Sequence, residues 1–173
     1  MTLFEFCPKC ATPMVMRIDD SKERPVCPSC GYVQYRNPAP AAGAVVFDNG
    51  RLLLVKRAHE PYIGKWTIPA GFMEWGESPE ETTVRELKEE TNLEVEIQGL
   101  FHVYAGSDDP RTRAVLILYF AISVTSEVIA GDDASDARWF ALDELPSDDK
   151  IAFESHRRAI ARLKRDHPGL FTP

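Results

Sequence analysis

Residues 71–93 read GFMEWGESPEETTVRELKEETNL, and the rest of the chain is organised around them. Within this stretch Arg85-Glu86-Leu87-Lys88-Glu89-Glu90 packs three carboxylates beside two cations. Ser78-Pro79-Glu80-Glu81 is a helix start on which several signals agree. Serine caps, proline takes the first helical position, and Glu81 completes a capping box. The spacing predicts a helix from Pro79 to about Thr91, ended by Asn92 in the left-handed conformation. Val84 and Leu87, three apart, give its buried stripe, with Thr83 and Thr91 beside them. Glu86 and Glu90 are four apart and share a face, and Glu89 adjoins both. Like charges at such spacings cost about 0.2–0.5 kcal/mol per pair. Arg85, one turn from Glu81 and Glu89, can pin Glu89 by a charged hydrogen bond. Glu80, Glu81 and Glu94 read as solvated helix or strand-end glutamates. So much negative charge on one turn calls for a cation, and the reading is a divalent metal that holds a phosphate-bearing substrate.

The bulk numbers frame this. At 173 residues with 44% hydrophobic residues, the chain has enough apolar material for one domain and a small module. A net charge of −7 offers no basic footprint for nucleic acid or an anionic membrane. The sequence has no apolar run of roughly 18 residues and no secretory pattern in MTLFEFCPKC, so a cytoplasmic protein without membrane contact is expected.

All four cysteines fall in two pairs, Cys7-Pro8-Lys9-Cys10 and Cys27-Pro28-Ser29-Cys30. Each Cys-x-x-Cys makes a knuckle that points two sulfurs at one ion, and this separation is that of a four-thiolate zinc site. Between the pairs, Met14 to Ile18 and the polar turn Asp19-Asp20-Ser21-Lys22 read as a hairpin, hence a zinc ribbon over 1–36. Redox dithiols and two disulfides are the competing readings. Four thiolates close the zinc shell, so the ion is structural rather than catalytic. Five basic residues against four acidic ones leave the ribbon at +1, too little for a nucleic-acid role.

Tyr35 to Pro40 is a proline-punctuated linker. Ala41 to Phe47 and Arg51 to Lys56 read as strands around the hairpin turn Asp48-Asn49-Gly50. Lys56 and Arg57 either contact phosphate or form a solvated strand end; His59 reads as a loop residue. Trp66 is either core or pocket lining. After the helix, 93–104 and 114–123 read as strands, joined by a polar loop with Asp108, Asp109, Arg111 and Arg113. Those arginines either face a substrate phosphate or offset the aspartates. Residues 137–140 form a further strand, and 151–166 form an amphipathic helix whose solvated face takes His156, Arg157, Arg158, Arg162, Lys164 and Arg165. His156 near the substrate is the alternative.

The central stretch follows Gly-x5-Glu-x7-Arg-Glu-Leu-x-Glu-Glu-x-Asn-Leu. It resembles the signature of the Nudix hydrolases, with Gly71, Glu77, Arg85, Glu86, Leu87, Glu89, Glu90 and Leu93 all matching. Asn92 alone departs, standing where the family has glycine; asparagine is the next best residue for a left-handed backbone. The resemblance implies an α+β fold over 37–173, an α/β/α sandwich with a mixed β-sheet, preceded by the ribbon that a subgroup of the family carries. It implies Mg²⁺ or Mn²⁺ held by Glu86 and Glu90, with the backbone carbonyl of Gly71 or Ala70. Glu89 and Glu77 would act through the metal's water or a further ion, and Arg85 would orient the glutamates. An acidic residue before the tryptophan strand, Asp133 or Asp136, would add a ligand or base. Arg57, Arg111, Arg113 and Trp66 are the candidates for substrate contact. A homodimer is also implied.

The implied reaction is hydrolysis of a pyrophosphate bond in a nucleoside diphosphate linked to a variable group. The segment Ala70 to Glu74 and the ribbon resemble relatives that split ADP-ribose or FAD. The motif Ser-Gln-Pro-Trp-Pro-Phe-Pro-x-Ser of NADH pyrophosphatases is absent between Gln98 and Arg113, which lowers NADH; nucleoside triphosphates are the other alternative. A non-catalytic nucleotide sensor or RNA-binding module is the reading from another class, and the intact Arg85, Glu86, Glu89 and Glu90 argue against it.

Overall fold

The computed structural model describes residues 3–125, 127–131 and 133–172. The chain forms two compact units, Met1–Pro38 and Ala39–Pro173.

The first unit is a two-stranded hairpin, β1 (Val15–Asp19) and β2 (Lys22–Val26), between two knuckles. Asp20 and Ser21 turn the hairpin with φ of 48° and 64°, the left-handed pair that a two-residue turn needs to match strand twist. The knuckles repeat one geometry. The Ala11 amide donates to the Cys7 carbonyl at 2.8 Å, and the Gly31 amide donates to the Cys27 carbonyl at 3.1 Å. Both residues have positive φ, 56° for Ala11 and 73° for Gly31. Glycine is at home there, whereas an L-side chain costs about 1 kcal/mol. Ala11→Gly is therefore expected to stabilise this unit by about 1 kcal/mol, measured as a higher chelator concentration needed to unfold the unit after loading with zinc.

The second unit is built on a seven-stranded mixed sheet. Its strands are β3 (Ala39–Asp48), β4 (Arg51–Arg57), β5 (Trp66–Thr67), β6 (Ala70–Phe72), β7 (Val95–Gly106), β8 (Ala114–Ser123) and β9 (Ala134–Phe140). β3 and β8 run parallel along eight register positions; the other pairings are antiparallel. Asn49 and Gly50, with φ of 46° and 73°, close the β3–β4 hairpin.

The second edge of β3 is divided. Its end pairs with β4 at Phe47 and Asp48, while Ala41 to Gly43 pair with β6. The sheet thus forks near Gly43. A Cβ there would overlap the Pro69 carbonyl and the Ala70 side chain, so only glycine lets β6 approach. Gly43→Ala is expected to cost about 1–3 kcal/mol through overpacking, read as a lower urea midpoint at unchanged m-value.

Two helices sandwich this sheet: α1 (Pro79–Thr91) and α2 (Glu154–Asp166). Strand alternation sorts the core between them. Val45, Leu52, Leu54, Leu116 and Leu118 pack with Ala159, Ile160 and Leu163 of α2. Ala44, Val46, Leu53, Tyr119 and Ala121 pack with Leu87 of α1. The capping box at Ser78 and Glu81 is formed, and Asn92 ends α1 with φ of 59°.

Three expectations are corrected. Val84 is 43% exposed; the buried face of α1 is Thr82, Thr83, Leu87 and Thr91. The threonines tolerate burial because their hydroxyls are satisfied. Thr83 donates to the Pro79 carbonyl at 2.8 Å, Thr91 to the Leu87 carbonyl at 2.5 Å, and Thr82 to Glu77 at 2.7 Å. His156 is not on the solvated face of α2 but buried at 6% exposure. Its Nδ1 accepts from the Ile68 amide at 3.1 Å, which ties the first turn of α2 to the strand region before β6. Trp66 is core: it is 9% exposed, with its ring edge-on to Phe140 at 4.8 Å. Lys56 and Arg138 cover its faces at 5.7 and 5.9 Å.

Candidate active site

The four cysteine sulfurs of the first unit lie within 4.8 Å of one another. Cys7–Cys30, Cys10–Cys27 and Cys10–Cys30 are separated by 3.6, 3.5 and 3.6 Å. Tetrahedral zinc with bonds of about 2.3 Å places its sulfurs about 3.8 Å apart. The cluster fits that ion. A disulfide needs sulfurs about 2 Å apart, so these spacings set the disulfide reading aside. Amides of Lys9 and Cys30 donate to Cys7 and Cys27 at 3.4 Å each, steadying the sulfurs.

The second cluster sits where the fork in the sheet meets α1. β6 is held against the helix by two contacts. The Ala70 amide donates to Glu90 Oε2 at 3.1 Å. The Glu86 carboxylate lies so close to Gly71 that a Cβ on this glycine would overlap it. Burial, and next the neighbouring Glu86 charge, push Glu90 up to about 8. Burial also raises Glu86, against the pull of Arg85. Two crowded hard-oxygen donors, each with little protein hydrogen bonding, are the chemistry that magnesium or manganese takes.

Arg85 organises what surrounds them. Its Nε and Nη2 grip both oxygens of Glu77 at 2.7 and 3.0 Å. Nη1 donates to Glu86 at 2.8 Å and Glu89 at 2.9 Å, and Nη2 also reaches the Phe72 carbonyl at 3.1 Å. Glu77 further accepts from the Glu74 amide at 3.0 Å and from the Thr82 hydroxyl. These bonds, Arg85's first, hold Glu77 down at about 2. Glu77 is thus saturated by the protein. It fixes Arg85, and Arg85 in turn aims Glu86 and Glu89.

Asp133 enters from the loop before β9. Amides of Ile129 and Gly131 donate to the terminal carbonyls of α1, at Thr91 and Glu90, over 3.0 and 3.2 Å. The Asp133 carbonyl accepts from Ala58 at 2.8 Å. Its exposed carboxylate lies 3.5 Å from His59 Nε2, and its charge raises both Glu86 and Glu90. Asp136 instead pairs with Arg138 at 2.7 Å. Asp132 lies outside the described residues.

Across β6 from the glutamates lies a pocket that opens to solvent. Ala70, Gly71 and Phe72 form one wall, so the same three residues border both spaces. Arg57 and Arg111 also line it; Arg113 is exposed outside it, and Trp66 is buried away from it. Arg57 donates to the Pro61 carbonyl at 2.7 Å and stacks 5.2 Å above Phe153. Burial lowers its pKa, and the neighbouring charge of Arg111 adds to this. Arg111 grips Asp109 with Nε at 3.1 Å and Nη2 at 2.8 Å, and it faces the cavity as well.

The remaining lining residues carry no local signature in the sequence. Phe153, Ser155 and His156 come from the start of α2, and Asp108 from the loop after β7. Asp108 joins the two: its Oδ2 accepts from the Glu154 amide at 2.7 Å and from Arg157 at 3.4 Å. It caps α2 in place of Phe153, which has no side chain to do so.

The carboxylate helix, its arginine clamp and the four-cysteine unit agree with comparison to known proteins. The NUDIX domain family model matches residues 37–163, and the chain belongs to the Nudix hydrolases. The zinc-ribbon Nudix N-terminal model matches residues 5–36, which places it with members carrying that module. It is 39% identical to an ADP-ribose pyrophosphatase of Methanocaldococcus jannaschii over 78% of each chain. It is 34% identical to the NAD-capped RNA hydrolase NudC of Pseudomonas aeruginosa, over 82% of this chain but only 49% of that one. A crystal structure of a NUDIX hydrolase from Nitrosomonas europaea superposes with a TM-score of 0.84 at 33% identity, covering 96% of this chain and 93% of the other.

Among the described residues no helix is long and apolar enough to cross a membrane.

The charge crowding has a pH consequence. The ordinary value for Glu90 is 4.5, and the fold raises it to about 8. The folded chain therefore holds this proton more tightly than the unfolded chain. As pH rises from 4.5 towards 8 the unfolded state gives up its proton first, and the metal-free fold loses stability. Above 8 the loss levels off. A cation that offsets the charge removes it. The stabilisation by Mg²⁺ in thermal melts is expected to grow from pH 5 to pH 8 in the wild type, and to grow much less in Glu90→Gln, where only Glu86 still titrates.

Proposed function

We propose that the chain is a magnesium- or manganese-dependent diphosphatase that cleaves ADP-ribose to AMP and ribose 5-phosphate, with FAD-like dinucleotides as related substrates. The observation that carries this is the pairing of spaces about β6: crowded glutamates on one side, a pocket lined by two arginines on the other. The 39% identity to an archaeal ADP-ribose pyrophosphatase supports the choice of substrate.

In this reading Glu86, Glu90 and the Gly71 carbonyl would hold the metal, and Glu89 and Asp133 are the further carboxylates that could serve it. When bound, the ion offsets pyrophosphate charge and lowers the pKa of a water. Arg57 and Arg111 draw the diphosphate to the mouth of the cavity, where Glu90 faces Arg57. Arg85 and Glu77 keep the carboxylates in place without touching substrate. Glu89 and Asp133 are the exposed carboxylates able to take the proton as water attacks phosphorus. One P–O bond forms, the anhydride P–O bond breaks, and the leaving phosphate keeps the bridging oxygen. The zinc is structural, and we read residues 1–36 as its ribbon and 37–173 as the catalytic domain. A cytoplasmic homodimer completes the reading; β7, an edge strand with Leu100 and Val103 exposed, offers it a surface. Light scattering at twice the chain mass supports the dimer; a single-chain mass removes it.

The test is turnover with Mg²⁺ on ADP-ribose, FAD, NADH and nucleoside triphosphates. ADP-ribose should give the highest kcat/KM, with AMP as product. No product from any of them sinks the proposal. NADH is the second reading, favoured by 33% identity to a mouse mitochondrial NAD(P)H pyrophosphatase, although the chain covers only 40% of that relative. A kcat/KM for NADH above that for ADP-ribose selects it.

A further inference from the structure

His156 has no place in the chemistry above, yet it is among the residues that line the cavity. It is 6% exposed, and its Nδ1 is already used: the Ile68 amide donates to it at 3.1 Å. A nitrogen that accepts an N–H cannot carry a proton of its own. The ring is therefore locked as the neutral tautomer with its hydrogen on Nε2. Among the described residues Nε2 makes no hydrogen bond. Burial, the Arg57 charge and the Arg157 charge lower the ring's pKa to about 4, so it does not become a cation at ordinary pH. Its apolar surroundings are Phe153, whose ring lies 5.6 Å from the imidazole, Leu116 and Ala41, beside the buried Ser155 and the charged Arg57 and Asp108 of the same lining. A phosphate would find no charge in this histidine. A planar, largely apolar heterocycle with an acceptor on its edge fits better.

Resting on the dinucleotide reading above, we propose that His156 is a specificity-determining residue, donating an Nε2–H hydrogen bond to a ring nitrogen or carbonyl of the substrate's nucleobase. The strand amide of Ile68 sets the tautomer, so recognition at the base is built on the same short connection that leads into β6. Ser155 and Phe153 shape the space beside it, and Asp108, by capping α2, holds all three in position.

Two substitutions separate recognition from architecture. His156→Asn keeps an acceptor oxygen near Nδ1 for the Ile68 amide and removes the donor. His156→Gln places an amide N–H near Nε2 and weakens the bond to Ile68. The proposal expects His156→Asn to raise KM for ADP-ribose about five- to tenfold, with kcat changed much less. His156→Gln should recover most of that loss. The reverse order, Asn near wild type and Gln impaired, means a purely structural histidine and overturns it.

A second measurement uses the unmodified chain. With ¹⁵N-labelled histidine, NMR should show the Nε2-protonated neutral ring between pH 6 and 8, and AMP should move its resonance. An Nδ1-protonated ring, or no shift at saturating AMP, overturns the proposal even if both variants misfold. Failure of the parent reading looks different: the wild type then turns over no dinucleotide, while the AMP shift still decides the role of His156.

Discussion

Glu90→Gln should lower kcat on ADP-ribose by about 10²–10³-fold, the scale for deleting one preorganised charge from a water-poor site. The substitution keeps an acceptor for the Ala70 amide, which donates at 3.1 Å, so β6 stays docked on α1. What is lost is negative charge beside Glu86. The variant should therefore fold at least as well as the wild type without metal, because the crowding that raises Glu90 to about 8 is gone. Loss of turnover with retained or higher metal-free stability is the signature of a metal ligand. Near-normal turnover removes Glu90 from the metal assignment. Turnover and stability falling together mark it as a structural link between α1 and β6.

Gly71→Ala is the second large effect. A Cβ at this position overlaps the Glu86 carboxylate, a group already held by Arg85 at 2.8 Å and unable to swing away without breaking that bond. Either the carboxylate or β6 must shift, and displacements of about 1 Å at a reacting centre cost about 10²-fold. Turnover should fall by about that factor, with weaker Mg²⁺ dependence. Activity within threefold of wild type means that the approach of Glu86 to β6 is not needed for chemistry. The same clash predicts that Gly71→Ala combined with Glu86→Ala is less damaging than the two single losses multiplied.

How much of this was legible in the chain follows from the range of each interaction. The α1 helix was readable at both ends because its signals are local. Ser78, Pro79, Glu81 and Asn92 act within four residues of where they stand. The β3–β4 turn and the cysteine knuckles are local too. Val84 is exposed although apolar, because apolar character alone does not set the buried face of α1. Thr83 and Thr91 took that face, since each hydroxyl finds a carbonyl four residues back. Trp66 gave no sign of which side of the sheet it would face. The cavity wall was out of reach altogether. His156 meets Ile68 across 88 residues and Asp108 meets Glu154 across 46, and no spacing rule spans such distances. Arg57 and Arg111 could be singled out as cations near a loop, but not as neighbours in one cavity. The saturation of Glu77 was also hidden, because it depends on three donors arriving from different directions.

The fork at Gly43 leaves β6 only three residues long, with glutamates to one side and a recognition cavity to the other. Such a thin partition lets the two halves of the enzyme change at different tempos. Replacements around Asp108, Phe153 and His156 can retune which group is accepted while the acidic helix stays as it is. A new preference can then arise in a lineage by drift on one side of a three-residue strand, with the hydrolytic machinery inherited whole on the other.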